Sequence, residues 1–295
     1  MNYRDDVRFP PSQKALLDAH DTFLRDSWAV VTKRKVRLPN LADQVAYAVF
    51  GQLLQLARTV RRLAEVGYGG ESKPLARATL SAAATIKAIY AEDLCFLDDE
   101  TRREESDGRA LQFIFWEQEI RKRRNAGLVR RGLVPKEAAD ENLGRAEAER
   151  SAKLKALEEK GLHPRRIADG NDSWHGLSER QLMERLDLGD WYALYYGNFS
   201  EEAHVSVASV RTQLVSLWDD HGLVVGPRWE DPSVPLRATV DAVAAALLSI
   251  NQSLDLEAAE AIRRAADKMV ATFKDIGRSW VKRNAVGSSY EAARD

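Results

Sequence analysis

Between Lys73 and Leu97 the chain reads KPLARATLSAAATIKAIYAEDLCFL, an alanine-rich apolar stretch with no proline beyond its second residue. Alanine has the highest helix propensity and one of the smallest side chains, so a helix forms readily here and lets its neighbours approach closely. A helix of this kind belongs at the centre of a bundle. Polar residues recur along it at near-helical spacing: Arg77, Ser81, Thr85 and, almost two turns on, Glu92. They either line a polar cavity or mark a solvated edge.

Other segments repeat the helical period. Residues 11 to 33 place Leu16, Leu17, Phe23, Leu24, Trp28 and Val31 on one stripe. Asn40 is placed to cap a long helix reaching about Val66, in which Val49, Phe50, Leu53, Leu56, Ala57, Val60 and Leu63 keep a 3-4 spacing. GYGGES, residues 67 to 72, breaks the pattern. Further helices are expected over residues 102 to 128, 178 to 186, 234 to 253 and 255 to 284, with another through DWYALYY and one carrying His204 to about Asp219. Nothing alternates as a βαβ unit would, so the fold class is all-α, a multi-helix bundle.

Residues 136 to 160 hold thirteen charges in twenty-five positions, with only Leu143, Leu154 and Leu157 as large apolar groups. That pattern predicts a solvated helix, antiparallel to the preceding one as a charged hairpin insertion at about 121–165. RKRRNAGLVRR, residues 121 to 131, carries six basic residues, among them Arg121, Arg123 and Arg124. Such a run can grip a phosphate backbone or simply complement the negative end of a helix dipole. The resulting organisation is an N-terminal helix and linker (1–38), a helical bundle domain (39–285) and a flexible tail (286–295).

The totals remove several classes. Forty-four basic residues against 45 acidic ones give a net charge of −1, so no global field draws the chain to nucleic acid. A single cysteine, Cys95, leaves no disulfide framework and suits a reducing cytosol. The N-terminal residues lack the apolar core of a signal peptide, and VDAVAAALLSI (240–250) is too short to span a bilayer. A cytoplasmic protein with no membrane partner is expected. Phosphate loops, nucleophile elbows and metal-ligand spacings are absent from the sequence, so no metal and no cofactor are expected.

One stretch carries candidate chemistry: LYYGNFSEEAHVSV, residues 194 to 207. Ser200 suits an N-cap, Glu201 and Glu202 then fall in the first helical turn, and His204 comes one turn after Ser200 on the same face. A neutral His204 can act as a general base. Equally, it can bond Tyr196 or Arg77 and fix the packing of two helices.

The alanine-rich helix with Arg77, the segment SWHGLSERQLMERL (173–186), the series Tyr196, Phe199, Ser200, His204 and the late apolar helix together resemble the bacterial domain of unknown function 5677 family, over about residues 40 to 275. That family is similar to HEPN-like helical bundles, which often dimerise and include metal-independent ribonucleases of toxin and phage-defence systems. The resemblance implies a homo-oligomer with RNA as a candidate partner. In that reading His204 and Arg77 are catalytic candidates, with Ser200, Tyr196, Ser81, Glu92, Arg121, Arg123 and Arg124 as binding candidates. The chain departs from the HEPN pattern, because the nearest arginine before His204 is Arg185, and from its own family at Ser81, where a glutamate is usual. The alternative is a non-catalytic interaction module that binds a protein or a small ligand.

Overall fold

A computed structural model describes residues 11–32, 37–159, 173–196, 198–199 and 232–291; side chains of 11–13, 117–119, 121–123, 276–291 and scattered positions between 142 and 158 lie outside the description. The chain is an all-α multi-helix bundle, with no strand among the described residues. Its helices are α1 (Pro11–Thr32), α2 (Leu41–Glu65), α3 (Lys73–Ile89), α4 (Asp99–Arg130), α5 (Lys136–Glu158), α6 (Glu179–Arg185), α7 (Ser233–Leu254) and α8 (Ala259–Glu291). Two shorter pieces join them: a 3-10 turn at Glu92–Leu94, and a helical turn at Gly189–Trp191 that runs into a π-helical turn at Tyr192–Tyr196.

The described residues form two compact units. The first takes those within 1–37, 49–83 and 190–295, the second those within 38–48 and 84–189. Two of the boundaries, after 48 and after 83, fall inside α2 and α3.

In the first unit, α1 packs on α7 and α8, which also pack on each other. The apolar stripe of α1 is buried as its spacing predicts, from Leu16 to Val31, whereas Trp28 is 41% exposed and carries the Arg58 guanidinium 5.8 Å from its ring centroid. Phe50, Leu53, Leu54, Ala57 and Val60 of α2 are buried in turn. α7 is the one described helix long and apolar enough to cross a membrane, yet Leu236, Val240, Val243, Leu247 and Ile250 are buried in the protein core. His20 of α1 is completely buried against α7. The Thr239 hydroxyl donates to the Leu236 carbonyl at 2.7 Å, so it must accept from His20 Nε2, also at 2.7 Å. The proton therefore sits on Nε2, and Nδ1 is a buried nitrogen without a partner among the described residues.

In the second unit, Asn40 caps α2 as expected, its side-chain oxygen accepting from the Asp43 amide at 2.7 Å. Asp107 of α4 reinforces that end by accepting from the Ala42 amide at 2.8 Å. α3 stops at Ile89, short of the expected 97, because Ala91 turns into the left-handed region at φ 50°. Ion pairs hold the chain off its helical course there: Glu92 takes Lys87, and Asp93 takes Arg109. α4 starts on Asp98, whose carboxylate accepts from the Thr101 amide at 2.9 Å. α4 and α5 pack together as a hairpin through a turn in which Gly132 adopts φ 65°. A reciprocal capping box between Ser178 and Gln181 starts α6.

Candidate functional site

Arg77 lies half-buried on α3, and its Nη2 donates to the Tyr196 hydroxyl at 2.7 Å. The guanidinium carbon also sits 4.2 Å from the Tyr196 ring centroid, a cation–π contact worth about 0.5–2 kcal/mol. Tyr196 is itself buried and stacks on Tyr192, with ring centroids 5.1 Å apart and planes 19° from parallel. The arginine is thus fixed in direction by one ring, and no carboxylate among the described residues lies within ion-pair distance of it. A guanidinium without a counter-charge is a receptor for an anion.

The neighbouring residue is held in a different way. The Tyr195 hydroxyl donates to the Asp241 carboxylate of α7 at 3.0 Å, and Tyr195 stacks on Phe199. Asp241 in turn accepts from Arg237 Nε at 2.9 and 3.1 Å, and the Arg237 guanidinium lies 5.9 Å from the Phe273 ring centroid. Burial pushes the Asp241 carboxyl above its ordinary range, against the opposing pull of Arg237 and Tyr195. Burial, then the Asp241 charge and hydrogen bond, push the Tyr195 phenol well up, so it remains a protonated donor at neutral pH. Consecutive tyrosines therefore anchor the π turn to two partners, Arg77 of α3 and Asp241 of α7.

Ser200 and His204 lie outside the described residues, as do the side chains of Arg121 and Arg123. Ser81, one turn after Arg77 on α3, is half-buried and makes no hydrogen bond with a described residue. Glu92 is off the helix, paired with Lys87. Arg124 is exposed on α4. Further along the basic run, Arg130 and Arg131 fold back to donate to the Ala126 and Gly127 carbonyls at 3.4 and 3.2 Å, which is how a solvated helix end spends its cations.

The second unit holds a polar cluster that sequence reasoning missed. Arg109 Nη1 donates to Asp93 at 2.5 Å and to the Ala88 carbonyl at 3.0 Å, while its Nε donates to Glu105 at 3.0 Å. Burial alone would lower the Arg109 pKa, but the hydrogen bonds and charges of Asp93 and Glu105 outweigh it and hold it above its usual value. His175 lies beside them, its Nδ1 accepting from the Leu177 amide at 3.2 Å. Burial first, then the Arg109 charge, lower its pKa to about 4, so the ring is neutral with its proton on Nε2. The i, i+4 spacing of Glu105 and Arg109 is the one signal of this cluster in the sequence. Among the described residues no group of His, Cys, Asp and Glu is arranged to hold a metal.

An all-α chain with an arginine held on an aromatic ring in one unit, and an arginine paired with two carboxylates in the other, defines a class of helical-bundle protein. Its family can be given more closely. The chain belongs to the family of unknown function DUF5677, which it matches over residues 43–221, a narrower span than the expected 40 to 275. No curated protein and no solved structure matches it. The matched span contains Arg77, the π turn and His204 but not Asp241, so the Tyr195 anchor lies on a partner outside it.

Proposed function

We propose that the protein is a cytoplasmic RNA-binding effector of a toxin or phage-defence system, with Arg77 as its phosphate contact. What supports this reading is Arg77 itself: a half-buried guanidinium, oriented by Tyr196, with no carboxylate among the described residues to satisfy it. Tyr196 orients the guanidinium but does not offset its charge, so the charge is left for a ligand. A phosphodiester supplies both the charge and the acceptor oxygens. Tyr192, half-buried and stacked on Tyr196, is the ring of the pair on which a base can lie.

Cleavage is the stronger form of the proposal. There, His204 takes the proton of a ribose 2′-hydroxyl, the 2′ oxygen attacks phosphorus, and the 5′ oxygen leaves with a proton delivered by water. Arg77 stabilises the charge that develops on the phosphorane, and no metal is required. The test is a fluorescent single-stranded RNA titrated at low salt with wild type, Arg77→Gln and His204→Ala, with RNA integrity followed in parallel. Arg77→Gln should bind about tenfold more weakly while remaining folded, its stability lowered by about the 0.5–2 kcal/mol of the lost Tyr196 contact. Wild type that binds no RNA, or an Arg77→Gln variant that binds equally well, refutes the reading. Loss of cutting but not of binding in His204→Ala assigns the base.

The alternative, a homo-oligomeric interaction module, is favoured by Leu194, which is 60% exposed on the π turn itself. Sedimentation and RNA titration of wild type and Leu194→Ser test it: a changed oligomeric state with RNA binding absent from both supports the module, and an unchanged oligomeric state refutes the contact.

A further inference from the structure

Within the second unit a cavity of about 210 Å³ is lined by Asp93, Glu105, Arg109, Gln112, His175 and Arg185. Its size suits a small molecule, below the roughly 300 Å³ at which pockets for drug-sized ligands begin. Its ligand chemistry is set by which hydrogen-bonding capacity the protein has already spent. Arg109 commits its Nε, Nη1 and Nη2 to Glu105, Asp93 and the Ala88 carbonyl, so its donors are spent within the cluster and its one charge is shared between two carboxylates. His175 Nδ1 is occupied by the Leu177 amide, which leaves Nε2–H as a donor without a partner among the described residues. Arg185, exposed at the end of α6, has neither an ion pair nor a hydrogen bond among them. The Gln112 amide nitrogen donates to the Trp174 carbonyl at 2.5 Å, leaving one acceptor oxygen. The unspent groups are therefore mostly donors, and one of them is a full cation.

We infer that this cavity binds a small oxyanion, a carboxylate or a phosphate, held between His175 Nε2–H and the Arg185 guanidinium. An oxyanion supplies the acceptors both donors lack, and Arg185 supplies the cation that Arg109, already shared between Asp93 and Glu105, does not. A cationic ligand would meet Arg185 at the rim, and a purely apolar one would leave every donor unpaired. Trp174, held edge-on to His175 at 5.2 Å and to Phe113 at 5.4 Å, fixes the imidazole so that its proton stays aimed. The site stands independently of the Arg77 reading and survives its failure.

The test is a titration of the full chain with inorganic phosphate and, separately, with acetate at neutral pH, read from the imidazole nitrogen resonances. The His175 Nε2 signal should move and saturate with at least one of the two, which also tells phosphate from carboxylate chemistry. Arg185→Gln, on an exposed residue whose loss leaves the fold intact, should weaken that binding about tenfold, whereas Arg77→Gln should leave it unchanged. A His175 signal that neither anion moves, or one that saturates equally in Arg185→Gln, overturns the assignment.

Discussion

Lowering the pH from 7 to 5 should cost the first unit stability through one side chain, His20. An unfolded imidazole titrates near 6.5, but burial, with the Arg61 charge adding to it, pushes His20 down to about 3 in the folded chain. The folded pKa is depressed, so below 6.5 the unfolded state takes up a proton that the folded state refuses, and stability falls with pH until about 3. At pH 5 nearly all unfolded chains carry that proton and almost no folded ones do, a difference of about 2 kcal/mol relative to pH 7. The geometry agrees: His20 Nε2 spends its proton on Thr239, and a second proton on Nδ1 would be buried without an acceptor among the described residues. The assay is urea unfolding of wild type and His20→Leu at both pH values. Carboxylates titrate alike in both proteins, and His175, depressed in the same direction, is common to them as well. Wild type should therefore lose about 2 kcal/mol more than the variant between pH 7 and 5. Equal losses would show that the imidazole is not buried neutral, and the reasoning would fail with it.

Three other perturbations have expected sizes. Arg109→Leu strands Asp93 and Glu105, whose side chains are 8% and 9% exposed, and should cost about 3–5 kcal/mol in chemical denaturation. Asn40→Ala removes the cap on the Asp43 amide and should lower stability by about 1 kcal/mol, measured the same way. Asp255, exposed after α7 at φ 47°, occupies a conformation that glycine adopts without strain, so Asp255→Gly should raise the melting temperature through a gain of about 0.5 kcal/mol.

Much of the architecture was legible in the sequence because helix formation is local. The 3-4 spacing of Leu16 to Val31, the Asn40 cap and the GYGGES break each report on a few neighbouring residues, and each has its counterpart in α1, α2 and the turn before α3. Where long-range ion pairs decide, the local pattern misleads. The run through Leu97 reads as one helix, but Arg109, sixteen residues after Asp93, draws the chain aside. The candidate site was legible only as residue types. That Tyr195 would choose Asp241, forty-six positions away, while Tyr196 chose Arg77, 119 positions back, depends on packing that no short window contains. Asp241 itself is inconspicuous in the apolar segment VDAVAAALLSI, because nothing local distinguishes a buried, paired carboxylate from a solvated one.

The π turn at Tyr192–Tyr196 bears on how this segment tolerates insertion and deletion. A π turn accommodates one residue more than an α turn, so it reads as an insertion that the chain has absorbed. Excising Ala193, which is exposed, would restore ordinary helical register and rotate the downstream residues by about 100° relative to the upstream ones. Tyr195 and Tyr196, both downstream of the excision, would swing together, and the segment would turn away from Asp241 and Arg77 alike. Length at this point is thus under tighter constraint than composition: many side chains would fit at position 193, but a shorter loop would not.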